Sequence, residues 1–174
     1  MFWLNIVTNF LKILRAGQTP AQIAGGFALG SIAGFSPHLS LQIIAVWIVI
    51  FILNVNLSAA FLSFTLFGIT AFLVDPLFHA FGYYLLADVA GLQSLWTSLY
   101  NAPLAPMTRF YNTVVLGSFV CAIILSPVIY FGMKKFVVVY RVNLGARMEQ
   151  LKIYQIISKS KVVRLYMKIR DLGE

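Results

Sequence analysis

Five apolar segments, separated by short polar steps, occupy the middle of the chain. A helix that crosses a bilayer needs roughly 20 apolar residues. The fifth segment reaches that length, the third nearly does, and the others are short. The pattern therefore predicts an all-α integral membrane protein of short or broken helices, with one clear full-length transmembrane helix near the C-terminus. The segments run from about Pro20 to Phe35, Leu39 to Leu53, Leu57 to Val74, Leu77 to Gly91, and Asn112 to Gly132.

Two X-Pro steps, Ser36-Pro37 and Asp75-Pro76, separate short apolar segments. Short helices joined by a proline break are typical of re-entrant hairpins or broken helices, whose irregular backbone must be covered by protein or face water. His38 follows the first proline directly and His79 follows the second a little later. The two steps therefore predict two breaks and a crude repeat, as in duplicated transporters, although two unrelated proline turns would give the same pattern.

The two ends of the chain differ from its centre. Residues 1–16 place apolar side chains at helical spacing and polar ones opposite, which predicts an amphipathic helix in the headgroup plane, or else a short first helix packed on the rest. Residues 134–174 predict a basic tail with an amphipathic helix near its end, which docks on a membrane or a protein or acts as a loose cationic anchor. Residues 17–133 then form the membrane domain.

Composition and charge favour the same class. The chain is 60% hydrophobic and 10% charged, with a net charge of +8, and it has no lysine or arginine between Arg15 and Arg109. Cations collect on the cytoplasmic side, so both termini are predicted to lie in the cytoplasm and the number of full crossings to be even. One segment, or one proline-linked pair, must then enter and leave by the same face. The aromatic stretch from Trp96 to Tyr111 is expected at the opposite interface.

The basic residues lie beside membrane segments, so anionic lipid headgroups are predicted as their counter-charge rather than nucleic acid. A partner protein is the other candidate for the same contacts. The six cations expected to make them are Lys134, Lys135, Arg141, Lys161, Arg164 and Lys168.

Asp75 is the most informative polar residue, because an ionised carboxylate at membrane depth is costly. It is expected to cap a helix that begins at Pro76. Alternatively, it forms a polar or ion site with His38 and His79 if the two breaks meet. Two histidines and one carboxylate without close spacing are a weak metal signature, so neither a metal nor a cofactor is predicted. Since no catalytic motif is present, the chain is not predicted to be an enzyme.

Gly26, Gly30 and Gly34 are spaced by four residues and form one bare stripe on a helix. Such a glycine stripe lets another backbone approach closely. It predicts helix packing inside the subunit, or contact with a second subunit or a partner helix.

Three runs resemble a bacterial membrane-protein family catalogued as domain of unknown function 2062: Gly34 to Gln42, Asn54 to Ala59, and Asp75 to Tyr84. The resemblance covers roughly residues 19–86. This sequence departs from the family pattern at Phe67 to Thr70, where many relatives carry Asn-Pro-x-Thr. It implies a bacterial inner-membrane protein and no established activity. Some relatives are attached to glycosyltransferases of lipid-linked sugars, and a similar subgroup is encoded beside a much larger envelope protein, which implies lipid or envelope-glycan handling.

Two functional hypotheses follow. The first is a multi-pass inner-membrane accessory subunit of a larger envelope assembly that handles lipids or lipid-linked glycans. Its partners would be membrane lipids and a larger membrane or envelope protein, or a second copy of the chain. The alternative is a small transporter or channel with a polar site at the proline breaks.

Overall fold

The computed structural model describes residues 18–37 and 40–144, and within these ranges every regular element is helical and none is a strand. Residues 1–16, His38 and the tail cations Lys161, Arg164 and Lys168 lie outside the described residues. The α-helices are α1 (Pro20–Phe35), α2 (Leu41–Ile52), α3 (Leu57–Tyr83), α4 (Gln93–Tyr100) and α5 (Thr113–Val139).

Four short helical turns complete the described chain: π-helical turns at Tyr84–Asp88 and Tyr140–Leu144, and 3-10 turns at Ala90–Leu92 and Ala105–Thr108. By its internal contacts the chain divides into two compact units between Val137 and Val138. Helices α1 to α4 and nearly all of α5 belong to the first unit.

Helix α1 begins where the sequence predicts. Thr19 and Gln22 form a capping box, in which the Gln22 N–H donates to Thr19 Oγ1 at 3.2 Å and the Thr19 N–H donates to Gln22 Oε1 at 2.9 Å. Pro20 occupies the first helical turn, where its missing N–H costs nothing. The predicted start at Pro20 is therefore confirmed.

The start of α3 is fixed beside the start of α1. Asn56 is buried, its backbone N–H donates to the Gln22 carbonyl at 3.0 Å, and its side-chain Oδ1 accepts from the Ala59 N–H at 2.6 Å. One side chain thus caps α3 while its backbone ties the helix to α1. Since the contacts of α1 with α3 advance together along both helices, from Gly26 against Asn56 to Gly34 against Gly68, the two helices run parallel.

Replacing Asn56 with alanine should lower the stability of the detergent-solubilised protein by about 1–2 kcal/mol, the cost of losing an N-cap. Thermal unfolding measures the change. Asn54→Ala is the matched control, because Asn54 is exposed in the same turn. Equal unfolding midpoints for the two variants would show that the cap contributes nothing.

The first proline step breaks the helix as predicted. Helix α1 ends at Phe35, and Ser36 has an extended backbone with ψ 143°, as expected for a residue before proline. The Ser36 hydroxyl donates to the Ile32 carbonyl at 2.9 Å and satisfies one acceptor of the last turn. Helix α2 begins at Leu41 and runs back to the turn that precedes Asn56.

The second predicted break is wrong. Helix α3 continues through Pro76 to Tyr83, so Asp75 lies inside the helix and does not cap a new one. Proline removes one hydrogen bond and forces a local adjustment, which a long apolar helix tolerates when packing holds both sides. Phe78 supplies that packing, because it is buried and meets Phe35 edge to face with ring centroids 5.5 Å apart.

Because α3 is continuous, two helical stretches are long and apolar enough to cross a membrane, Leu57–Asp88 and Thr113–Val142. Only 17% and 28% of their most apolar windows are buried in the protein, whereas the core helix of a soluble protein is mostly buried. Most of their apolar surface therefore faces outward and is compatible with lipid contact.

Helices α3 and α5 cross at a pair of glycines. A Cβ atom on Gly82 would overlap the Thr113 carbonyl oxygen, and one on Gly117 would overlap the Phe78 carbonyl oxygen. The backbones can approach this closely only because neither position carries a side chain. Further along α5, Ala122 packs with Ile32, Phe35 and Phe78 in a cluster shared by α1, α3 and α5.

Candidate functional site

A small cleft lies where the end of α1 meets the middle of α3. Its volume is about 180 Å³, and we call it the Asp75 cleft. It forms because Gly34 and Gly68 hold the two backbones close together. Its walls are Gly34, Phe35, Ser36, Pro37, Gly68, Ala71, Phe72 and Asp75.

The structure brings Asp75 to the first proline step, whereas His79 contacts a residue of α5. Asp75 is half-buried and shares its cleft with Ser36 and Pro37. His79 lies one turn further along α3, where its Nδ1 is 2.6 Å from Thr113 Oγ1 of α5. The histidine thus joins α3 to α5 and does not line the cleft.

The described residues contain no group of three histidine, cysteine, aspartate or glutamate side chains arranged to hold a metal ion. The Asp75 cleft offers one carboxylate, the Ser36 hydroxyl and backbone groups. This set could take up a proton or a small cation.

The glycine stripe of α1 packs against α3 of the same chain. A Cβ on Gly26 or Gly30 would overlap the carbonyl oxygen of Asn56 or Ala60, and the Ser63 hydroxyl donates to the Phe27 carbonyl at 2.5 Å beside them. Helix α3 therefore covers this face of α1. A surface for a partner protein has to be sought elsewhere on the molecule.

Of the six cations predicted to contact headgroups or a partner, the three that the structure describes lie near the C-terminal end of α5. Lys134 and Lys135 are exposed, and the Lys134 ammonium lies 6.0 Å from the centre of the Tyr130 ring. Arg141 is half-exposed and follows in the π-helical turn. This end of α5 is apolar until the two lysines, as expected where a helix meets headgroups.

Sequence reasoning missed a groove along α2, which we call the α2 groove. It is apolar and has a volume of about 330 Å³. A signal was present, since Gln42 is the one amide in an otherwise apolar helix. The groove is lined by Leu29, Leu41, Gln42, Ala45, Val46, Val49, Thr108 and Phe119.

The aromatic stretch folds back on the end of α3. The Trp96 indole N–H donates to the Leu85 carbonyl at 2.9 Å, and its ring stacks on Phe110 with centroids 5.8 Å apart. Tyr100 and Tyr111 are more than half exposed beside them. The polar atoms and rings alternate here as at a membrane interface.

Comparison with known sequences gives two similarities. The profile of a family described as "Uncharacterized protein conserved in bacteria (DUF2062)" matches residues 6–143. A protein of Treponema pallidum (strain Nichols), described as "Uncharacterized protein", is 25% identical over 161 residues, which are 92% of this chain and 99% of that protein. No solved structure matches the chain. The family match confirms the resemblance found over residues 19–86 and extends it in both directions.

Proposed function

Since the chain belongs to the DUF2062 family of bacterial proteins, we propose that it is a multi-pass protein of the bacterial inner membrane. It acts there as an accessory subunit of a larger envelope assembly that handles lipids or lipid-linked glycans, and it carries no catalysis of its own. The observation that carries the proposal is the outward apolar surface of α2, α3 and α5, which needs lipid or another protein to cover it.

The proposed topology has two crossings and one re-entrant hairpin. Helices α3 and α5 each cross the membrane, while α1 and α2 enter the membrane from the cytoplasmic side and return to that side. The hydrogen bond from the Asn56 N–H to the Gln22 carbonyl supports this, because it places the base of the hairpin level with the start of α3. Lys134 and Lys135 at the far end of α5 then lie in the cytoplasm, in agreement with the positive-inside rule.

Helix α2 is the face proposed for the partner. Its 12 residues are too short to cross a bilayer, and its outward side chains are apolar. Ile48 and Phe51 are 53% and 66% exposed. A membrane helix of a larger protein that packed on this face would cover it without disturbing α1 or α3.

A photo-cross-linking amino acid at position 48 should give one reproducible adduct with a larger protein in intact cells. Position 124 of α5 is the matched control, because Ile48 and Ile124 are similarly exposed. Adducts are resolved by gel electrophoresis and mass spectrometry. A species near twice 19.4 kDa would identify a second copy of the chain as the neighbour. Equal yields from both positions, or none from position 48, would contradict the partner face.

A second candidate function is supported by the Asp75 cleft. A half-buried carboxylate beside a helix break is the arrangement expected of a proton or cation path in a small transporter. The chain would then move an ion past Ser36 and Pro37. The subunit role ranks first because the cleft holds only one ionisable group among the described residues.

Asp75→Asn should abolish pH-dependent ion flux through the protein in liposomes, because the amide cannot exchange a proton or carry charge. Asp88→Asn is the control, since Asp88 is exposed at the end of the π-helical turn that extends α3. A fluorescent pH indicator inside the liposomes reports the flux. No flux with the unaltered protein, or equal flux in both variants, would eliminate the transporter.

A further inference from the structure

An open pocket lies among aromatic side chains in the connection from α3 to α5, and we call it the aromatic pocket. Its volume is about 340 Å³, at the low end of the range of about 300–1,000 Å³ that is usual for small-molecule sites. Four of the residues that line it are aromatic, namely Trp96, Tyr100, Phe110 and Tyr111. A membrane-interface belt requires aromatic rings but no cavity among them. The pocket is therefore a feature beyond such a belt.

The four rings meet at steep angles. Trp96 and Phe110 are the more buried pair, and their planes stack at 25°. Tyr111 stands at 75° to Phe110 and also at 75° to Tyr100. These two tyrosines are 53% and 61% exposed, so a ligand can reach both rings. A flat ligand that enters this corner can lie against the face of one ring and touch the edge of another.

Polar atoms that a ligand can reach surround the rings. Thr97 and Asn101 line the pocket, and both are exposed. The Thr97 hydroxyl donates to the Gln93 carbonyl, and Asn101 Nδ2 donates to the Thr97 carbonyl, each at 2.9 Å. Each side-chain oxygen therefore keeps the capacity to accept a hydrogen bond. The hydroxyls of Tyr100 and Tyr111 make no hydrogen bond within the described part of the chain and can donate.

The pocket favours a neutral ligand, because none of its described lining residues is charged. The charged residues closest to them along the chain are Asp88 and Arg109, which have opposite signs. The ligand must offer an apolar face to the rings and hydroxyl groups to the oxygens around them. A pyranose sugar has both, since its ring C–H groups form an apolar face and its hydroxyls project from the rim. Such C–H groups are attracted to the negative face of an aromatic ring.

The position of the pocket favours a sugar that is carried by a lipid. Phe110 and Tyr111 come shortly before α5, at the outer boundary of the membrane in the proposed topology. Leu104 and Met107 in the same connection are 66% and 61% exposed. Large apolar side chains exposed at this level are suited to insertion among lipid headgroups. The pocket thus opens where the head of a glycolipid lies.

We propose that the aromatic pocket binds a pyranose ring of a neutral glycolipid at the outer face of the membrane. The apolar face of the sugar lies against the rings of Tyr100 and Tyr111, and its hydroxyls donate to Thr97 and Asn101. This inference rests on the membrane location and the lipid-linked glycan role proposed above. It gives that role a binding site and a class of ligand.

Saturation-transfer NMR of the full chain tests the site with cellobiose as the probe. The protein is kept in a polyoxyethylene detergent, because a glycoside detergent would itself compete for the pocket. Cellobiose should bind at least about tenfold more tightly than sorbitol, which has the hydroxyls but no ring face, or than tetramethylammonium, which has only the charge. No binding of cellobiose, equal binding of sorbitol, or tighter binding of tetramethylammonium would overturn the proposal.

Three tyrosine positions separate the pocket from the rest of the surface. Tyr100→Ala and Tyr111→Ala should each weaken cellobiose binding about tenfold, the effect of losing one aromatic contact. Tyr84→Ala is the matched control, because Tyr84 is 54% exposed and does not line the pocket. Unchanged binding in both pocket variants, or an equal loss in the control, would contradict the site.

Thermal unfolding shows whether a loss of binding reflects a loss of structure. All three alanine variants should unfold near the midpoint of the unaltered protein, since each replaced side chain is exposed. Tyr111→Phe keeps the ring and its packing, and it should weaken cellobiose binding only about threefold, the effect of one lost hydrogen bond. Tyr111→Phe that binds as weakly as Tyr111→Ala would contradict stacking on this ring.

Nanodiscs test the lipid-linked source of the sugar. Discs that contain glucosyl diacylglycerol in phosphatidylethanolamine should prevent cellobiose from binding, whereas discs of phosphatidylethanolamine alone should not. Cellobiose binding that persists beside the glycolipid would contradict a lipid-linked ligand. Binding in detergent depends on neither topology nor a partner, so failure of the proposed function is separate. Recovery of the chain in the soluble fraction, or no adduct from position 48, would refute that function while cellobiose binding remained.

Discussion

Replacing Gly30 with leucine is expected to prevent α1 from packing on α3 and to leave little folded protein. A Cβ at this position would overlap the Ala60 carbonyl oxygen, and the rest of a leucine side chain has no space between two backbones. Overpacking of a tight site typically costs about 1–3 kcal/mol, and a backbone neighbour relaxes less than a side chain does. We therefore expect Gly30→Leu to lose about 3 kcal/mol of stability or more.

The measurement is size-exclusion chromatography in mild detergent followed by thermal unfolding, with Gly132→Leu as control. Gly132 also lies in a long helix, but a Cβ there meets nothing within 4 Å. The control should elute as one sharp peak, and its stability should not fall, because leucine is the better helix former. A monodisperse Gly30→Leu protein with an unchanged midpoint would show that α1 and α3 are not in backbone contact.

Gly117→Leu is expected to have the second large effect, by forcing α5 away from α3. The Gly117 position faces the Phe78 carbonyl oxygen directly, and Gly82 faces the Thr113 carbonyl oxygen in the same way. Separation of the two helices would also break the contact between His79 and Thr113. The variant should therefore lose stability by about 3 kcal/mol and expose the connection between α3 and α5 to protease.

Limited proteolysis in detergent separates this effect from that of Gly30→Leu. In Gly117→Leu the first cuts should fall between residues 89 and 112, whereas Gly132→Leu should resist protease like the unaltered protein. Unchanged resistance of Gly117→Leu would mean that the two long helices do not cross at their glycines.

Local signals predicted the first half of the fold well. The helix start at Pro20, the break at Ser36-Pro37 and the polar turn at Asn54 to Asn56 are decided by backbone chemistry within a few residues, and the structure has each of them. The Asp75-Pro76 step carries the same local signal but lies inside α3. There the outcome depends on Phe78 packing against Phe35, a contact between residues far apart in the sequence.

The same difference between local signals and long-range contacts applies to the Asp75 cleft and the α2 groove. Asp75 could be singled out from sequence because a carboxylate in an apolar segment is costly anywhere. The sequence offered a site of Asp75 with His38 and His79 if the two proline steps meet. The cleft brings Asp75 to Ser36 and Pro37, while His38 lies outside the described residues. The α2 groove was missed although Gln42 was a signal, because its walls come from three helices and a 3-10 turn that meet only in the folded chain.

The central claim is that α3 and α5 cross the inner membrane and leave both ends of the chain in the cytoplasm. Single cysteines at either terminus or at Ser98 of α4, in a Cys121→Ala background, test it with a membrane-impermeant maleimide on intact spheroplasts. Ser98→Cys should react at once, and the terminal cysteines only after lysis. Labelling of either terminus in intact spheroplasts, or of Ser98→Cys only after lysis, would contradict the account.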